Sequence, residues 1–155
     1  MKVESGFQLR EHRILKSHFR INEAFDADQD IEGIQIEPQL ALNYEKISDE
    51  GDVTVFFSFK ISDKNAPFKI DLVLAGDFQV AGEALKNKNV LEKLVHINCA
   101  ACLFPFMREY IADVTRRGGL PILYLPSMNF VEFYKNSIET VCNEQSSIEL
   151  PSKIK

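Results

Sequence analysis

The spacing of apolar residues changes period once, at Gly82, and that change decides most of what this chain can fold into. Before it, apolar residues recur at every second position. Val53, Val55, Phe57, Phe59 and Ile61 alternate with Thr54, Ser58, Lys60 and Ser62. Phe68, Ile70, Leu72, Leu74, Phe78 and Val80 alternate with Lys69, Asp71, Asp77 and Gln79, and Ile36, Leu40, Leu42 and Tyr44 with Glu37, Gln39, Asn43 and Glu45. Side chains on a strand point to opposite faces in turn, so each run predicts a strand with one buried face. The short polar connections 48–52 and 62–67 make these three strands an antiparallel meander. Another strand near Phe7–Ile21 has an alternation that slips between Leu9, Ile14 and Phe19, as a bulge would make it slip. Gly76 marks a bend or bulge in the last strand.

After Gly82 the period is helical. Leu91, Leu94 and Val95 share a face, and Leu103, Phe106, Met107, Tyr110, Ile111 and Val114 recur at three and four residues. Pro105 predicts a kink or a helix start. Gly118 is placed to supply a left-handed cap, with Arg116 and Arg117 at the negative end of the dipole. Asn129 and Glu132 have the spacing of a capping pair, opening a helix that buries Phe130, Phe133, Tyr134, Ile138 and Val141. Strands followed by helices predict an α+β fold: a four-stranded antiparallel meander sheet with helices packed on one face. Residues 1–142 read as one domain and 143–155 as a polar, flexible tail. Such a sheet leaves two open edges and an uncovered face, which oligomerisation commonly covers.

At 155 residues, 45% hydrophobic and 26% charged, the chain suits one globular core. No apolar run approaches the roughly 20 residues of a membrane span. The N-terminus lacks a signal-peptide core, and three cysteines fit a reducing compartment. These features predict a cytoplasmic protein without membrane insertion. The net charge of -5 divides into 15 acids against 9 bases in residues 1–80 and 8 acids against 9 bases in residues 81–155. An acidic first half argues against nucleic acid, which needs a basic face, and permits a basic protein partner.

The residues that bear chemistry read as structural. Cys99-Ala100-Ala101-Cys102 is a C-x-x-C, but a helix precedes it where a redox motif follows a strand, and Cys142, His12, His18 and His96 show no zinc-ligand spacing. Asp26-Ala27-Asp28-Gln29-Asp30 begins like a calcium loop with Glu37 at the twelfth position, yet Ile31 stands where that loop needs glycine. The acidic segment Asp26–Glu32 is thus a solvated loop, of a charge that would suit a basic partner. Glu109 and Asp113 beside Arg108, Arg116 and Arg117 make a solvated helix face. No nucleophile elbow or phosphate-binding glycine loop occurs. The prediction is no enzyme, no cofactor and no metal.

Apolar residues outside the core pattern say more. Phe56 is out of phase in its strand, and Leu120-Pro121-Ile122-Leu123-Tyr124-Leu125-Pro126 is an apolar loop without strand or helix period. Such a loop covers a core, lies in an interface or lines a groove.

Leu103-Phe104-Pro105-Phe106, Arg108-Glu109, Arg117-Gly118, Pro121, Leu123, Leu125, Asn129-Phe130 and Tyr134, with Cys99 ahead of them, resemble the signature of the SecB family of export chaperones. Thinner similarity at Phe7-Gln8, Pro38, Leu42, Gly76, Phe78 and Ala81-Gly82 extends the likeness over about residues 7–138. The resemblance implies a four-stranded antiparallel sheet with helices, a homotetramer built as a dimer of dimers, and an ATP-independent holdase. Such a chaperone keeps unfolded precursors in apolar grooves and passes them to the SecA motor. It implies a groove lined by Ile36, Phe56, Leu120, Leu123, Tyr124 and Leu125, and a motor-docking face that includes Asp71.

The chain departs from the family pattern in places. Ile36 stands where tryptophan is frequent, and Ala100-Ala101 replace a Pro-Asn pair. Lys69 neighbours Asp71, and two first-strand acids are replaced by His18 and Asn22, or by Lys16 and Arg20 under another gap. The tail ends in Lys153-Ile154-Lys155 instead of acids. Two alternatives stand beside the export chaperone: a SecB-like chaperone dedicated to one client such as an antitoxin, and a small-ligand-binding domain on the same fold.

Overall fold

A computed structural model of the chain describes residues 6–25 and 36–144, with side chains as far as residue 138. The acidic segment Asp26–Glu32, the side chains of Val141 and Cys142 and the tail from residue 145 lie outside the described residues. Strands β1 (Phe7–Ile21), β2 (Gln39–Lys46), β3 (Asp52–Ile61) and β4 (Phe68–Val80) form one antiparallel sheet in the order β1-β4-β3-β2. β2, β3 and β4 are the expected meander. β1 is not its continuation: it pairs with β4, from Phe7 opposite Val80 to Ile21 opposite Phe68. A strand of 15 residues finds a match in β4, with 13, and not in β2, with 8.

The slip in β1 is two bulges, between Leu9 and Glu11 and between Ile14 and Lys16. Each extra residue inverts the alternation. The side facing the helices therefore runs Phe7, Leu9, His12, Ile14, Ser17, Phe19, Ile21. Contacts bear this out: Phe7 lies against Phe78, His12 stacks on Phe106 at 3.8 Å, and the Ser17 and Tyr110 hydroxyls meet. Gly76 carries no bulge of its own. It opens room for the helix, because a β-carbon there would stand 2.7 Å from Leu103 and 2.8 Å from Phe78.

A short α1 (Gly82–Leu85) leads to α2 (Lys88–Lys93), whose first turn is capped by the Asn87 side chain accepting from the Asn89 amide. A π-helical stretch, Leu94–Cys99, joins α2 to α3 (Ala100–Arg117), so that one helix runs unbroken over Lys88–Arg117. By length and composition this helix could cross a membrane, contrary to the expectation that no apolar run comes near that length. The reason is that no Asp, Glu, Lys or Arg occurs between Leu94 and Met107. Leu91, Val95, Cys99, Leu103, Phe104, Met107 and Ile111 are buried and belong to one core with Phe57, Phe59, Leu72 and Leu74 of the sheet. Pro105 lies inside α3 and has no amide to donate to the carbonyl of Ala101.

At the end of α3, Gly118 is right-handed (φ -74°), and Gly119 takes the left-handed conformation (φ 72°). The Gly119 amide bonds to the Arg116 carbonyl and the Leu120 amide to that of Thr115, the double closure of a Schellman motif. Gly118 serves a different need, since a β-carbon there would meet the Phe19 ring at 3.0 Å. α4 (Phe130–Glu144) opens on Asn129, whose Oδ1 accepts from the amides of Val131 (3.1 Å) and Glu132 (3.3 Å). Phe130 is buried against Phe104 and Phe57. Ile138, expected inside, is 44% exposed: it stands two turns along the helix from Val131, also 44% exposed, on a stripe that the core does not reach. The helix continues through Glu144, past the boundary expected at residue 142.

Candidate peptide-binding site

The loop 120–128 takes its shape from Thr115. Leu103, Met107, Ile111 and Thr115 repeat at four residues along the buried stripe of α3, which places a hydroxyl where the pattern calls for an apolar group. Its Oγ1 donates to the Ile111 carbonyl (2.8 Å) and accepts from the Leu123 amide (3.1 Å). Together with the bond from the Leu120 amide to the Thr115 carbonyl, this folds the start of the loop back over the helix end. Thr115 was not among the residues singled out from sequence, although a polar residue on an apolar stripe is a readable signal.

From that anchor the loop divides its apolar residues. Leu125 is buried, Leu120, Leu123 and Met128 are half-buried against the core, and Ile122 (40%) and Tyr124 (71%) stand out in solvent. Ile36 is also half-buried against this core, ahead of β2, in line with Leu40, Leu42 and Tyr44. Ile36, Leu120 and Leu123 thus each pack against the core to which Leu125 belongs, while Tyr124 stands clear of it. Phe56 does not join them. Its neighbour Phe57 packs on Phe104 and Phe130, so Phe56 points to the other face of the sheet, where its partners across the strands are Asn43 and Ala75.

Among the described residues no element covers that face, which is charged and balanced. Lys16 pairs with Asp71 at 2.5 Å, Arg13 with Asp77 at 2.6 Å and Arg10 with Asp52 at 3.6 Å, and Thr54 donates to Asp77. Asp71 therefore carries a cation beside it. Between β1 and α3 lies an open cleft of about 250 Å³, lined by His12, Ile14, Leu74, Phe106, Glu109, Tyr110 and Asp113. Hydrogen bonds from Arg117 and Arg116 hold the Asp113 carboxyl below its usual range.

Cys99 and Cys102 have the properties of packing residues. Burial, with a smaller contribution from Cys102, pushes the Cys99 thiol up to about 12, and burial raises Cys102 as well. A nucleophilic or metal-binding thiol needs the opposite shift. Among the described residues no group of three or more His, Cys, Asp or Glu is placed to hold a metal ion.

Residues 20–141 match the family model SecB, preprotein translocase subunit SecB. The chain belongs to the SecB family. It is similar to the protein-export protein SecB of Ruegeria sp. (33% identity, 64% of this chain and 62% of that protein) and of Cereibacter sphaeroides (30% identity, 79% and 78%). The chain thus spans less than two thirds of the Ruegeria relative. Among solved structures, the Mycobacterium tuberculosis Rv1957 SecB-like chaperone, in complex with a ChAD peptide from the Rv1956 HigA1 antitoxin, superposes with a TM-score of 0.66. That match has 22% identity and covers 79% of this chain and 90% of the other, and it shows that the SecB fold is shared.

Proposed function

We propose that this SecB-family chain is an ATP-independent holdase, a binding protein and not an enzyme, which keeps unfolded precursors from aggregating in the cytoplasm and serves their export. The observation that carries the reading is the loop 120–128: its base is pinned by Thr115 and Leu125, while Ile122 and Tyr124 stay in solvent. A fixed apolar surface holds extended apolar segments without reading their sequence. Among the described residues β2 is an edge strand, and it would offer backbone groups to the same segment. In this reading Ile36, Leu120, Leu123, Tyr124 and Leu125 line the groove, and Phe56 is an apolar contact on the bare face. The relatives named protein-export protein SecB support the role in export. Assembly as a dimer of dimers would cover the edge strand β1 and the exposed Val131 and Ile138, and would leave β2 to the client.

The ion pair between Lys16 and Asp71 favours a second reading. The resemblance implies an acidic face for docking the SecA motor, and here its carboxylate is neutralised. A chaperone dedicated to one client, as the Mycobacterium tuberculosis protein is bound to an antitoxin peptide, needs no such face.

The test is light scattering of an aggregating substrate refolded with an equal amount of the purified chain. Suppression supports the holdase, and undiminished aggregation at every ratio removes it. Retention of SecA by the immobilised chain supports export, and its failure together with capture of one defined client supports the dedicated role.

A further inference from the structure

The balance of charge on the bare face stops at Lys16. Past it, toward the turn that joins β3 to β4, stand Arg20 on β1, Lys69 on β4 and Lys60 on β3, all exposed. Their neighbours Phe19, Phe68 and Phe59 pack into the core, so the three bases lie on the opposite side of the sheet. Register brings them together. Arg20 is directly opposite Lys69, while Asp71 is opposite His18 on β1 and Lys60 on β3. Side chains so placed have β-carbons about 4.5–5.5 Å apart. Over residues 16–20, 39–41, 58–60 and 69–73, Asp71 is the one acid. Lys16 already holds its carboxylate at 2.5 Å. Among the described residues Arg20, Lys60 and Lys69 form no ion pair. The adjoining turn brings Asp63 and Lys64, which cancel. Four bases thus share one carboxylate, and like charges directly opposite each other weaken strand pairing. An anion lying over Arg20 and Lys69 would relieve that repulsion.

We infer that this end of the bare face is a docking site for an acidic stretch of a partner polypeptide, with Arg20, Lys60 and Lys69 as its carboxylate-binding residues. Arginine can hold a carboxylate through two parallel hydrogen bonds, and lysine holds it as a point charge. The site reverses the charge that the resemblance implies for a docking face, so the partner it fits carries the opposite sign. It lies across the sheet from the loop 120–128 and does not depend on the groove reading. Two observations favour a polypeptide over a nucleic acid. The free bases do not continue along β1, because Asp77 and Asp52 neutralise Arg13 and Arg10, and a phosphate backbone needs a continuing basic track. Val73 and Phe56, half-buried on the same face, offer apolar contact to a segment whose acids adjoin an apolar side chain.

The test uses the full chain and three dye-labelled probes, read by fluorescence anisotropy at low salt. They are a peptide of alternating glutamate and serine, its glutamine counterpart, and a single-stranded thymidine oligonucleotide of the same charge as the glutamate peptide. The glutamate peptide should bind about tenfold more tightly than the glutamine peptide, and the difference should vanish in about 1 M salt. Arg20→Gln/Lys69→Gln should remove most of the preference without lowering the urea midpoint, since it parts two like charges. Asp71→Asn, which frees Lys16, should widen it. Lys86→Gln/Lys135→Gln removes the same charge from exposed positions outside the sheet and should leave it unchanged. An unfolded substrate in excess should not displace the glutamate peptide. Equal binding of the two peptides overturns the site, and so does an equal loss in the Lys86→Gln/Lys135→Gln variant, which would mean that net charge alone is felt. Tighter binding of the oligonucleotide overturns the choice of a polypeptide. Displacement by the unfolded substrate overturns the placement on the bare face.

Discussion

The Cδ2 atom of Leu103 lies 2.7 Å from the place where a β-carbon on Gly76 would stand. Helix α3 is seated on β4 through this pair, and both residues are closed off from solvent. Gly76→Ala should therefore destabilise the fold by about 1–3 kcal/mol, the cost of overpacking. Urea denaturation checks it. In Gly76→Ala/Leu103→Ala the two losses should fall short of their sum, because the smaller side chain relieves the clash.

Thr115→Val keeps shape and burial but removes the acceptor of the Leu123 amide. The loss should be about 0.5–1.5 kcal/mol, the net worth of a hydrogen bond at a part-buried position. If the loop is the client surface, affinity for an unfolded substrate should fall in the same variant, as measured by titration at a temperature where it remains folded.

Tyr124 and Leu125 are neighbours with opposite environments, 71% and 7% exposed. Tyr124→Ala should change stability by less than about 0.5 kcal/mol and yet weaken suppression of aggregation. Leu125→Ala should cost about 2–5 kcal/mol. Thermal unfolding beside the light-scattering assay separates the two.

Burial raises the Cys99 thiol from 9.0 to about 12. Above pH 9 the unfolded chain releases this proton while the folded chain keeps it, so the thiol's contribution to stability is whole below pH 9 and is lost as pH rises toward 12. Relative to Cys99→Ala, the wild type should lose about 1 kcal/mol per pH unit over that window, seen as a steeper fall of its urea midpoint. In the folded protein at neutral pH, Cys99 should resist alkylation longer than Cys102, which is less buried.

Much of this was legible from residue spacing. The alternation in β2, β3 and β4 was plain because each packs one face against the helices without a break in register. β1 was blurred because Arg10 and Leu15 are extra residues, and local spacing does not say which distant strand will absorb them. The adjacent glycines 118 and 119 look alike in sequence. Tertiary contact with Phe19 distinguishes the first and a positive φ the second. Of the site, the apolar loop was visible as a run with no period of its own, and the resemblance extended it to Ile36. The face of Phe56 followed from parity with Phe57, but a groove joining it to the loop did not, since the two lie on opposite sides of the sheet.

The order β1-β4-β3-β2 also governs time. The strand that leaves the ribosome first is paired along its whole length with the strand made last, Phe7 with Val80 and Ile21 with Phe68. The two hairpins of β2, β3 and β4 close over short turns, whereas β1 must wait for a distant partner, and such non-local pairing is slow. During its own synthesis this chain therefore exposes a long unpaired strand, the same hazard that a holdase shields in others.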